Sequence, residues 1–134
     1  MKKTTREWVR KAEADYRAAR KLNRGSDRLH DQACFFCQQS AEKYLKALME
    51  ESSLAIPRTH ILKDLLALLQ THYLSLSHLR RGLVFLTRFA VGTRYLGDSA
   101  SKREATTALR WADKVRMAAR MLLGLRPNLP RHTG

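Results

Sequence analysis

Breakers and acids are both scarce in this chain: 3 prolines, 6 glycines and 12 Asp plus Glu among 134 residues. Few breakers, and no stretch with convincing strand alternation, exclude a turn-rich β architecture and favour helices throughout. No long hydrophobic run exists either. The longest wholly apolar segment is LLALL at 65–69, far short of the ~20 residues a membrane helix needs. The opening MKKTTREW carries charge, but no apolar segment follows it, so it does not read as a secretory signal. Together these point to a cytoplasmic protein. Cysteine is limited to Cys34 and Cys37. A C-x-x-C pair can be a redox couple or half a zinc site, but no second pair is present. Inside an apolar helical pattern the two read as small hydrophobes one turn apart, so neither a metal site nor a cofactor is expected.

What is abundant is positive charge. Lys plus Arg totals 26, giving a formal net charge of +14. A field of that sign favours anionic partners such as RNA, DNA, nucleotides, an acidic protein or anionic lipid. With 44% hydrophobic and 28% charged residues, the chain has the composition of one folded domain with a single modest core.

The apolar spacing divides the chain into five helical segments. The first opens at a capping-box pattern, Thr4 to Glu7, and runs to about Asn23, with Trp8, Ala12, Tyr16, Ala19 and Leu22 on its inner face. Lys3, Arg10, Arg17 and Arg24 recur every seven residues on another face. The second runs from near Asp27 to Glu51, and its apolar arc is so wide that it is either the centre of a bundle or has a second face for a partner. Pro57 marks an extended link. Thr59 caps a short third helix from His60 to about Gln70, and a fourth covers about His78 to Arg94 with Leu79, Leu83, Leu86, Ala90 and Val91 inward. Ser101 to Glu104 forms a second capping box, opening a last helix to about Leu125. The expected fold is all-α, an antiparallel up-and-down bundle of about five helices over residues 1–125. Residues 126–134 are expected to form a loose tail.

Particular residues carry a family resemblance. They are Trp8 and Asp15, then Ala33-Cys34-Phe35, Gln38-Gln39-Ser40-Ala41-Glu42-Lys43 and Lys46-Ala47, then Thr59-His60-x-Leu62 with Leu65-Leu66, and finally Arg94-Tyr95. This pattern, over about residues 5 to 124, resembles the HEPN domain (higher eukaryotes and prokaryotes nucleotide-binding). The resemblance implies a helical bundle that homodimerises and has a nucleotide- or RNA-related role. It also implies pairing with a minimal nucleotidyltransferase in a two-component, toxin–antitoxin-like module. The ribonuclease branch carries R-x(4–6)-H near the start of the last helix. Here the positions after Arg94 that would hold histidine are Ser99, Ala100 and Ser101. The spacing recurs at Arg24 to His30 and Arg126 to His132, neither at the family position.

The expected phosphate-binding residues are Arg94, Tyr95, Lys43 and Lys46, with His60 in support. An Arg94 fork near the free N–H groups of the Ser101 helix start has the chemistry to hold a phosphate, and Tyr95 can stack on a base. Glu42 and Lys46 stand four apart in the order that favours pairing. Lys43 needs an anion, either a phosphate or a carboxylate such as Asp15. His60 reads as a helix-start residue whose neutral ring hydrogen-bonds across the bundle. No catalytic residue is assigned. The alternatives are a metal-independent endoribonuclease whose histidine has moved to another element, and a non-catalytic subunit docking an acidic partner.

Overall fold

The computed structural model describes residues 1–91 and 96–127. Among these the secondary structure is helical. It comprises α1 (Lys3–Arg24), α2 (His30–Glu51), α3 (Leu62–Leu69), α4 (Arg80–Thr87) and α5 (Lys102–Leu122), with a 3-10 helix, Leu74–Leu79, leading into α4. The all-α fold of five helices expected from the sequence is the fold observed.

The wide apolar arc of α2 is explained by its position at the centre of the bundle. Cys34, Cys37, Ala41, Tyr44, Leu45 and Leu48 are all inaccessible to solvent, packed by α1 on one side and by α3, α4 and α5 on the others. Each fully buried leucine contributes about 1.5–3 kcal/mol relative to exposure. Helix α1 runs antiparallel to α2, tied at one end by the Lys2 backbone N–H donating to Glu51 Oε1 (3.0 Å) and mid-way by the Lys43–Asp15 ion pair. Helix α5 runs in the same sense as α2. The Ala100 N–H donates to Asp31 Oδ1 (2.6 Å) at its start, and Arg120 Nη1 donates to the Tyr44 hydroxyl (3.2 Å) near its end. The short α3 and α4 return the chain between them.

Helix α4 lies tightly against α5 because Gly82 has no side chain. A Cβ built there would stand 2.0 Å from Trp111 Cε3. At the start of α3, the orphan N–H of Leu62 is met from outside the helix by Thr87 Oγ1 (3.1 Å), whose own hydroxyl donates to the Leu83 carbonyl (2.8 Å).

Several helix ends differ from the sequence expectation. Thr4 does not cap α1: the Arg6 N–H already bonds the Lys2 carbonyl (3.1 Å), and Thr5 turns inward to donate to Glu51 Oε1 (2.9 Å). Helix α2 starts at His30 because the Leu29 N–H bonds the Asp27 carbonyl in a tight turn (3.1 Å). Thr59 Oγ1 accepts from the Ile61 N–H (3.1 Å), so α3 begins at Leu62 and His60 precedes it. The fourth helix is shorter than expected. The N–H groups of Arg88, Phe89 and Ala90 reach the carbonyls three residues back, a tightened final turn. Val91, placed inward by periodicity, is 69% exposed. The capping box at Ser101 forms in full: Ser101 Oγ accepts from the Glu104 N–H, and Glu104 Oε1 accepts from the Ser101 N–H, both at 3.0 Å. No helix among the described residues is long and apolar enough to cross a membrane.

Candidate functional site

Two polar regions stand out, and of the residues singled out from sequence Lys46 and His60 fall in the first, with Lys43 beside it. Gln38, Glu42 and Lys46 lie one turn apart along α2, and the connection before α3 brings His60 to the same place. Glu42 is 6% exposed. It accepts from Gln38 Nε2 (2.9 Å) and Lys46 Nζ (2.9 Å), and lies 3.0 Å from His60 Nδ1. Burial pushes its carboxyl pKa up, but hydrogen bonds from His60, Lys46 and Gln38 outweigh this and leave the pKa below the ordinary value. The Lys46 ammonium also sits 5.8 Å from the centre of the Trp8 ring. Lys43 is paired with Asp15 across the α1–α2 seam. Both ammoniums are therefore held by carboxylates, and a phosphate at either would have to displace one. Arg94 and Tyr95 lie outside the described residues.

The second region is a cleft of about 660 Å³ where the starts of α2 and α5 meet. Arg28, Leu29, His30, Asp31 and Gln32 line it from α2 and the turn before it, and Ser99, Ala100 and Lys102 from the other wall. The hydrogen bond from the Ala100 N–H to Asp31 holds the two walls together. No side chain caps the N-terminus of α2. At α5 the capping box occupies the Glu104 N–H, and the N–H groups of Lys102 and Arg103 have no partner within the helix. Two positive helix ends, an arginine, a lysine and a histidine thus border one concave space, with the Asp31 carboxylate in its wall bonded to the Ala100 N–H; the cationic groups outnumber it, and their chemistry suits an anion such as phosphate.

Sequence reasoning missed Arg28 and Lys102 and set His30 aside. Arg28 and Lys102 lie more than seventy positions apart in the chain, and only the packing of α5 beside α2 joins them. The available signal was local: each stands beside a helix start.

A further network ties three helices, α1, α2 and α5. Arg116, 2% exposed, donates through Nε to Glu13 Oε1 and through Nη2 to Glu13 Oε2, both at 2.8 Å. Tyr44 donates to the same carboxylate, and Arg120 Nη1 stands 3.7 Å away. Burial pushes the Glu13 pKa up, but Arg116 and Tyr44 more than offset it. Burial raises the Tyr44 phenol, reinforced by the Glu13 carboxylate. Arg116 Nη1 and Arg120 Nε reach the Pro127 and Arg126 carbonyls, so the chain just after α5 is drawn onto this network. Cys34 and Cys37 are buried and not disulfide-bonded. Burial, with Cys34 close by, pushes the Cys37 thiol up, so it is a poor nucleophile. Among the described residues no cluster of His, Cys, Asp or Glu is arranged to hold a metal ion.

The comparisons with known proteins agree with this architecture. A Thermus thermophilus protein of known structure superposes with a TM-score of 0.71 at 28% identity, covering 83% of this chain and 91% of that one. An archaeal HEPN homologue gives a TM-score of 0.73 at 24% identity, covering 92% and 99%. A HEPN domain protein of Thermotoga maritima gives 0.69 at 21%, covering 88% and 98%. No curated protein matches the chain. The HEPN domain family model matches residues 5–122, nearly all of the folded region, and the chain belongs to the HEPN domain family.

Proposed function

We propose that this protein binds the phosphate groups of a nucleotide or RNA in the cleft between the starts of α2 and α5. The observation that carries the reading is the convergence there of Arg28, His30 and Lys102 with two helix N-termini. The excess of 26 basic over 12 acidic residues supports it. In this reading Arg94 supplies a phosphate fork and Tyr95 a stacking surface. Lys43, Lys46 and His60 contribute less, because Asp15 and Glu42 already engage them. The protein works as a homodimer beside a minimal nucleotidyltransferase partner, in the manner its family membership implies. Filter binding of ATP and of a short single-stranded RNA at low salt tests this. Retention of at least one is expected, and retention of neither would contradict the proposal.

A second reading is favoured by one specific observation. His30 lines the cleft beside Ser99, a position where the ribonuclease branch would carry its histidine. His30 would take the proton of a ribose 2′-hydroxyl. That oxygen would attack the adjacent phosphorus, and the bond from phosphorus to the 5′-oxygen would break as that oxygen takes a proton from water, giving a cyclic phosphate and a free 5′-hydroxyl. Incubation of RNA with the protein in a chelator decides it: cleavage abolished by His30→Ala supports this reading, and intact RNA rejects it.

A further inference from the structure

The exposed face of α1 is almost entirely basic. Lys3, Arg10, Arg17 and Arg24 lie along it at intervals of about 10 Å, flanked by Arg6 and Lys21, and Glu7 is the one exposed acid on the helix. The two other acids of α1 do not weaken this field: Glu13 is taken by Arg116 and Tyr44, and Asp15 by Lys43. Among the described residues Arg6, Arg10 and Arg17 make no ion pair. An exposed cationic stripe is ordinarily just solvated surface, but this one borders a recess. Between α1 and the end of α5 lies a groove of about 350 Å³, with Arg6, Arg10, Arg17 and Arg120 around Val9 and Ala14, and with Glu13, paired to Arg116, also in its wall.

We infer that this groove is a second binding site, for the sugar–phosphate backbone of an RNA strand. The inference rests on the reading that the protein binds RNA, but it concerns a surface separate from the cleft. Arg6, Arg10 and Arg17 at the groove carry planar forks that match phosphate oxygens better than lysine does, while Arg120 is engaged by the Tyr44 hydroxyl and the Arg126 carbonyl. Among the described residues no aromatic ring lines the groove, so it offers no stacking platform for bases, and recognition is of the backbone and independent of sequence. The stripe ends at Arg24, four residues before Arg28 of the cleft. A strand held along α1 is thereby led towards the end of the bundle where the cleft lies.

The test uses the full chain, a fluorescent twelve-residue oligouridylate, ATP and a salt series. Three proteins are compared: the wild type, Arg10→Gln/Arg17→Gln, and Arg80→Gln/Arg81→Gln, which removes two exposed arginines of α4 instead. Each phosphate contact in a single strand contributes about 0.7 to the log–log salt slope. The α1 variant is expected to flatten that slope by about 1.4 and weaken RNA binding roughly tenfold, with ATP binding and thermal midpoint unchanged. The α4 variant should change RNA affinity less than twofold. Equal losses in the two variants would show a diffuse charge effect and overturn the proposal. ATP binding without RNA binding would overturn it while leaving the cleft reading intact, whereas binding of neither would remove both. Displacement of the RNA by polyglutamate at matched charge would assign the groove to an acidic protein instead.

Discussion

The Arg116 guanidinium and the Glu13 carboxylate meet in a two-point fork, with both N–O distances 2.8 Å and the arginine 2% exposed. This contact joins α1 to α5, and Tyr44 of α2 shares the carboxylate. Removing one member of such a pair is costly because the other is left buried and charged. Glu13→Gln should therefore lower stability by about 3 kcal/mol. The double variant Glu13→Gln/Arg116→Met should recover most of that loss. Urea denaturation measures both; equal losses in single and double variants would mean that the charge of Arg116 is not what makes the single change costly.

Gly82 predicts a second effect. A methyl group there meets the Trp111 ring at 2.0–2.1 Å, so α4 must move away from α5. Gly82→Ala should cost about 2 kcal/mol or more, in the upper range for overpacking, although alanine is the better helix former. Trp111→Leu in the same chain should return part of it. A thermal midpoint unchanged by Gly82→Ala would contradict the close packing.

Acid should destabilise the fold in a defined window. The carboxyls of Glu42 and Glu13 titrate below their ordinary value of 4.5 in the folded protein. A group lowered on folding contributes stability that is complete above the unfolded value and is lost as pH falls through the folded one. Stability should thus hold from neutral pH to about 5 and fall below 4.5. Glu42→Gln should fall less steeply in that range. A wild-type curve flat down to pH 3 would contradict this.

The Ser101 capping box predicts a smaller effect. Ser101→Ala leaves the Glu104 N–H without its acceptor and should cost about 1 kcal/mol. Because Ser101 stands between Ala100 and Lys102 of the cleft wall, ATP affinity should fall with it, while Thr4→Ala, which removes no cap, should leave both unchanged.

Most of the fold was legible because helix periodicity is a local property. Leu62, Leu65, Leu66 and Leu69, or Ala105, Ala108, Ala112 and Val115, are buried as their spacing requires. Helix starts were legible only where the side chain itself makes the cap. Ser101 with Glu104 could be read directly; Thr4 with Glu7 shows the same pattern, but Lys2 contacts the end of α2 and the helix begins earlier. Likewise the N–H of Leu62 is satisfied by Thr87, twenty-five residues away, and no local rule could supply that. The Glu42–Lys46 pairing followed from spacing on one helix, and Asp15 was named as a carboxylate for Lys43. The cleft was not legible, since Arg28, His30 and Lys102 share no pattern until α5 lies beside α2.

The most direct measurement is an equilibrium titration of fluorescent ATP against the wild type, Arg28→Gln/Lys102→Gln and Lys43→Gln/Lys46→Gln, with folding checked by circular dichroism. If the cleft is the phosphate site, the first variant loses at least tenfold in affinity and the second less than threefold. Loss confined to the Lys43 and Lys46 variant would contradict this and move the site to the Glu42 patch.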